Sequence, residues 1–171
     1  LKIEAFTVDD DYISDSKKEN IPIIPFSSLK KEFNINKYSM HVALSYSEQN
    51  KLRELKFNEV KKLGYHLENY ISKKSYIDKN IIFGQNCFIL ENQTIQKGVK
   101  IGDNVTMWSS NHIGHETKIN SHCYLSSHVV VSGHCEIGQR CFLGVNSSIS
   151  DFTKIGDDCF IGMSSSISRN L

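Results

Sequence analysis

The chain has 171 residues, 39% hydrophobic and 23% charged, with 20 Lys and Arg against 19 Asp and Glu for a net charge of +1. That length allows one core and a smaller satellite domain. The balanced charge offers no basic field for nucleic acid, and no apolar run approaches the roughly 20 residues that span a bilayer. A soluble, cytoplasmic protein with no membrane partner is expected. The chain begins Leu1-Lys2-Ile3 and stops inside a repeat at Leu171, as expected of a chain trimmed at both ends.

From the N-terminus, Ile3 to Val8 reads as a strand running into Asp9, Asp10 and Asp11. A loop with two prolines, IPIIPF, leads to a polar helix, SSLKKEF, and then to a second strand, His41 to Leu44. A longer amphipathic helix is predicted over Ser47 to Leu63, with Leu52, Leu55 and Val60 on its apolar face and Gly64 as its stop signal. Strands alternating with helices argue for a small, partly Rossmann-like α/β unit with a parallel sheet over residues 1–66.

Residues 67–171 have a different texture. Written in blocks of eighteen from Phe83, they superimpose without insertion: FGQNCF, IGDNVT, INSHCY, IGQRCF and IGDDCF each open a block. A large aliphatic residue or Phe recurs every sixth position. Four positions later comes a residue that is usually small, with Gln93 and Asn111 as exceptions. A period of six excludes an α-helix and a simple hairpin, and belongs to a parallel β-helix. Three short strands joined by tight corners make a triangular rung, giving about five to six stacked rungs with the first and fifth positions inward. Glycine or a small polar residue at the second position is expected to serve corners with unusual backbone angles.

This frame accounts for the cysteines. Cys87, Cys123, Cys141 and Cys159 fill the fifth position of the first hexad, with Val105 completing the ladder, and Cys135 fills a fifth position of a third hexad. They read as small inward residues. Their odd number and the lack of metal-ligand spacing support neither a disulfide framework nor a metal site.

Five of the seven histidines lie between His112 and His134. His122, His128 and His134 take the fourth position of successive hexads, one at each corner of a single rung, so within one chain they cannot converge on one ion. His115 takes a third position and is followed by Glu116. An outward imidazole beside a carboxylate is a candidate general base. Gly133 occupies the same third position one rung later, so the two stack at about 5 Å on one corner. Trp108, the only tryptophan, is at a second position and is expected outward, as a trimer contact or a ligand platform.

These features carry a resemblance. IGHE at Ile113 to Glu116, VSGHCEIG at Val131 to Gly138, CFLGVNSSI at Cys141 to Ile149 and the acidic turn TVDDD resemble the left-handed β-helix acyltransferases of nucleotide-linked sugars. Within them the likeness is to the bacterial amino-sugar N-acetyltransferases and the related sialic acid O-acetyltransferases. The resemblance implies acetyl-CoA as co-substrate and a UDP- or dTDP-linked 4-amino-4,6-dideoxyhexose as acceptor, on a homotrimer with clefts between subunits. It implies His115 as base, Glu116 as the carboxylate that orients it, and the Gly133 backbone N–H as donor to the acetyl carbonyl. Val145 and Met163, following Gly144 and Gly162, would line the pantetheine arm, and Asp9 and Asp10 would hold the nucleobase. O-acetylation, a zinc-dependent β-helix hydratase and a non-catalytic trimeric module are the alternatives. The hydratase reading meets a six-residue spacing of His128 and His134 where that family uses five.

Overall fold

In the computed structural model, which describes residues 2–171, strands Tyr70–Ile71 to Ser166–Ile167 form three parallel sheets of six, five and six strands. Strands eighteen residues apart pair directly, as in Thr106 with Tyr124 and Lys100 with Lys118. The three sheets close a left-handed β-helix whose interior is one column of buried side chains. Ile101, Ile119 and Ile137 project into it from first positions, and Cys87, Val105, Cys123 and Cys141 from fifth positions. Cys159, in the same ladder, is only half-buried.

The corners work differently from the expectation. The fourth residue of each hexad, not the second, takes the left-handed conformation: non-glycine residues from Asn86 to Ser164 have φ between 55° and 67°, and Gly98 stands at 77°. Asn and Asp tolerate this geometry through short side chains that bond locally, and Asn86, Asn92, Asn104, Asn146 and Asp158 are used there. Second-position glycines serve close approach between rungs. A Cβ on Gly102 would lie 2.7 Å from the Ser121 nitrogen, and one on Gly138 would lie 2.5 Å from the Gly156 carbonyl carbon.

The N-terminal unit has its own small core of Ile24, Leu29, Val42, Phe57, Val60, Tyr65 and Leu67. The proline-containing segment Ile21–Pro25 is a strand, not a loop, and pairs in parallel with Phe6–Val8. Lys17–Lys18 joins its other side antiparallel, and Ser39–Met40 pairs with His66–Leu67 in a separate parallel sheet. In place of the single parallel sheet expected there are two, a mixed three-stranded sheet and a two-stranded parallel one.

The helix runs over Lys51–Leu63 and stops at Gly64, which has φ 92°. Its buried residues are Arg53, Phe57 and Val60, a 4-then-3 spacing that keeps one face. Leu52 and Leu55, expected inside, are 38% and 54% exposed. The sequence pattern misassigns the face because the long stem of Arg53 takes the place of an apolar residue. The helix starts later than predicted because Glu48, Gln49 and Asn50 form a left-handed turn. The buried Asn50 amide then donates to the Arg140 and Cys141 carbonyls at 3.2 and 3.3 Å, fastening the turn to the β-helix.

Candidate active site

Each of the three prism faces has a different exterior. Against the first face, carrying Tyr124 and Phe142, lies the N-terminal unit: the Tyr46 ring is 5.0 Å from Tyr124 and 4.6 Å from Phe142. The third face presents Lys100, Lys118, Glu136 and Lys154 to solvent. Between them the second face presents Thr94, His112, Val130, Ser148 and Ser166, none of them an Asp, Glu, Lys or Arg.

At the corner between first and second faces, Tyr46, Trp108, Tyr124, Gly144, Val145 and Met163 line an open groove of about 630 Å³ that Gly162 also borders. Gly144, Val145, Gly162 and Met163, which the resemblance groups along one arm of a ligand, lie here together with the outward Trp108. Trp108 is 45% exposed and its indole N–H donates to the Tyr124 hydroxyl. The two exceptions to the small-residue rule explain how this corner is held. Buried Gln93 and Asn111 each donate a side-chain amide to the Trp108 carbonyl, at 2.6 and 2.7 Å. Sequence reasoning missed Tyr46 and Tyr124. Tyr124 has a signal in its outward sixth position, but Tyr46 reaches the groove only through docking of the N-terminal unit.

His115 lies at the next corner, between second and third faces. It is exposed, its backbone N–H donates to Gln96 Oε1 at 2.9 Å, and its ring reaches up over Gly133: a Cβ built there would be 2.8 Å from Nε2. The stacking of His115 on Gly133 expected from spacing is therefore present. The other two groups at this corner are directed elsewhere or already bonded. The Glu116 carboxylate lies down over Gly98, where a Cβ would meet Oε1 at 2.3 Å. Glu116 occupies the left-handed corner position, φ 56°, so its side chain leaves in the opposite direction along the stack from that of His115. Among the described residues, the histidines that pair with carboxylates are His66 and His122. The Gly133 N–H, for its part, is not free, since it donates to Asp151 Oδ1 at 3.0 Å.

Asp9 and Asp10 are also engaged within the chain. Lys56 Nζ stands 2.6 Å from Asp9 and 2.5 Å from Glu59, and 4.3 Å from the Phe26 ring centroid. Burial opposes the Lys56 charge but the Asp9 and Glu59 bonds outweigh it, so its pKa is raised. Asp10 accepts from the Ser27 hydroxyl at 2.5 Å and from its backbone N–H at 3.2 Å, bonds that lower the Asp10 pKa. The acidic turn is thereby tied to the start of the Phe26–Ser28 helical turn.

The arrangement defines a hexapeptide-repeat β-helix with a histidine-bearing corner and a grooved corner, separated by a face whose outward strand residues Thr94, His112, Val130, Ser148 and Ser166 include no Asp, Glu, Lys or Arg. Comparison with known proteins agrees with the architecture. Residues 134–169 match the family model described as bacterial transferase hexapeptide (six repeats), and residues 80–107 match the hexapeptide repeat of succinyl-transferase. Compared with curated proteins by sequence, the chain has no match. Solved structures share its fold. The acetyltransferase domain of PglB from Neisseria gonorrhoeae, in complex with acetyl coenzyme A, has TM-score 0.85 at 19% identity, covering 94% of this chain and 77% of that one. A histidine-to-asparagine mutant of perosamine N-acetyltransferase from Caulobacter crescentus, in complex with CoA and GDP-perosamine, has TM-score 0.82 at 20% identity, covering 92% and 75%. No helix among the described residues is long and apolar enough to cross a membrane.

Proposed function

We propose that this chain is a cytoplasmic acetyl-CoA-dependent N-acetyltransferase acting on a nucleotide-linked 4-amino-4,6-dideoxyhexose, with His115 as general base. The observation that carries this reading is the exposed imidazole seated over Gly133, on a β-helix similar to that of enzymes in complex with CoA and an amino-sugar nucleotide. The sugar amine attacks the thioester carbonyl while His115 removes its proton. The tetrahedral intermediate collapses with cleavage of the C–S bond, and the proton passes to the departing CoA sulfur. No covalent enzyme intermediate is needed.

The Gly133 N–H is the candidate donor to the developing oxyanion, and Asp151 must yield that N–H before it can act. The groove of Trp108, Gly144, Val145, Gly162 and Met163 takes the pantetheine arm. Base and groove occupy different corners of one chain, so the working site is shared between copies. The uncharged second face is the one suited to pack on a neighbour, since the first is covered and the third is charged. A homotrimer follows, with the His115 corner of one subunit beside the groove of the next. Asp9 and Asp10 remain candidates for the nucleobase through whatever lone pairs Lys56 and Ser27 leave free.

The experiment mixes purified protein, acetyl-CoA and a panel of UDP-, dTDP- and GDP-linked 4-amino-4,6-dideoxyhexoses, and follows CoA thiol release. Release with an amino sugar and none with its hydroxyl analogue is expected. Release with the hydroxyl analogue would make the reaction O-acetylation, and silence across the panel from a trimeric, CoA-binding protein would overturn the reading.

A further inference from the structure

A base needs a fixed ring as well as a suitable proton affinity, and Glu116 does not hold the His115 ring. The ring packed against it is that of His134, from the next rung. Their centroids are 4.8 Å apart and their planes are at 88°, an edge-to-face contact. His134 is itself held from above, because Phe152, one rung further on, stacks on it at 4.8 Å with planes only 4° apart. The backbone fixes the same column: the His134 N–H donates to the His115 carbonyl at 2.8 Å, and the Phe152 N–H to the Gly133 carbonyl at 3.0 Å.

Phe152 is the anomaly that gives this column meaning. It is 71% exposed and takes a left-handed φ of 61°, which a bulky side chain adopts at a cost. Asn or Asp occupies five of the equivalent corners. A large aromatic kept outside, in an unfavourable conformation, with its ring laid flat on His134, contributes nothing to the core. What it does is back the imidazole that abuts the proposed base.

We infer that His134, backed by Phe152, is the positioning residue for His115, fixing the plane and reach of its imidazole by edge-to-face packing. This rests on the reading of His115 as base. Its consequence is specific: neither His134 nor Phe152 lines the groove that would take acetyl-CoA, so the column acts on the chemical step and not on acetyl-CoA binding. Displacement of a catalytic group by about 1 Å costs on the order of a hundredfold in rate, which sets the scale of the effect.

The test compares four variants with the parent, using acetyl-CoA and whichever amino sugar of the panel supports thiol release. Thermal melting and trimer size are measured alongside. His134→Asn keeps a residue that accepts the left-handed corner and removes the ring. It is expected to lower kcat on the order of tens-fold with the KM for acetyl-CoA unchanged. His134→Phe, which restores an aromatic plane without a titrating nitrogen, should recover most of the rate. Phe152→Ala, a surface change, should give an intermediate loss. A His134→Asn enzyme within twofold of the parent, while His115→Ala is inactive, would overturn the positioning role. So would a His134→Phe enzyme as slow as His134→Asn, which would point to a nitrogen function instead. Near-normal turnover by His115→Ala would remove the base assignment on which the inference stands.

Discussion

His115 and Glu116 are adjacent in the chain yet their side chains part at the corner, the imidazole rising over Gly133 and the carboxylate descending over Gly98. The two therefore make separable contributions. His115→Ala is expected to lower kcat/KM by about 10²–10⁴-fold, the usual worth of a general base, with trimer and CoA binding retained. Glu116→Gln is expected to stay within a few-fold of the parent, because its carboxylate acts on neither ring nitrogen. Steady-state kinetics on the two variants decide this, and equal losses would restore Glu116 as the orienting group.

Three glycines of the repeat, Gly133 at a third position and Gly144 and Gly162 at second positions, should respond differently to alanine. At Gly133 the three atoms nearest the added Cβ all belong to the His115 ring, the end of a flexible side chain, with Nε2 at 2.8 Å. Gly133→Ala should therefore keep the melting temperature and lose turnover by tilting the base. At Gly144 the Cβ meets backbone, 2.6 Å from the Met163 nitrogen, so Gly144→Ala should loosen rung stacking and lower the melting temperature. At Gly162 the nearest atom is Ser165 Oγ at 3.6 Å. Gly162→Ala should leave stability alone and weaken acetyl-CoA binding if the groove takes the pantetheine arm. Melting curves and CoA titration read all three, and a stable Gly144→Ala protein would contradict the stacking account.

How much of this was legible in the sequence depends on whether a residue's surroundings repeat. The β-helix was, because its period forces every sixth side chain inward, and the stacking of His115 on Gly133 follows from an eighteen-residue offset. The direction in which Glu116 leaves its corner was not, because it is set by a left-handed φ that falls on the fourth position and not on the glycine-rich second. The helix face was misread at Arg53, where a charged head hides an apolar stem. The Ile21–Pro25 strand was hidden by its prolines. The groove gains its Tyr46 wall only when the N-terminal unit docks on the first face, and no pattern within the repeat reports on that.

Arg53 joins the two parts of the molecule. Its guanidinium is buried and donates to five acceptors: the carbonyls of Asn104, His122 and Cys123, Thr106 Oγ1 and Asn50 Oδ1, all within 3.0 Å. Burial pushes its pKa down to about 10, which leaves it charged at neutral pH. Arg53→Met keeps the stem but strands those acceptors away from water. The expected cost is about 3 kcal/mol, since buried polar groups left unpaired cost about 1–3 kcal/mol each and some of these keep other partners. Arg53→Lys should not restore stability, because a single ammonium cannot match the planar fork. Urea unfolding measures the difference; a Met variant as stable as the parent would show that the acceptors are satisfied without Arg53.

The same junction should make the fold acid-sensitive well above the carboxylate range. His122 is buried against Phe57, with Asn104 Nδ2 2.9 Å from its Nδ1. Burial lowers its pKa, opposed by Glu54 and Asp103 and reinforced by Arg53 and Arg140. His41 packs on Phe88 with Nδ1 2.9 Å from the Glu68 carbonyl, and burial lowers its pKa too. A depressed pKa in the folded state means the unfolded chain takes up protons first. The stability contributed by neutral His41 and His122 is thus fully present above about pH 6.5, the unfolded value, and is lost as pH falls from there through the folded values. Asp10 and Asp158, whose pKa values are lowered by Ser27 and Arg140 respectively, act in the same direction but only below about pH 4. The melting temperature is therefore expected to fall between pH 7 and pH 5, and to fall less in His122→Asn than in the parent. A flat profile across that interval, or an unchanged slope in a variant lacking both histidines, would place the titrating groups elsewhere.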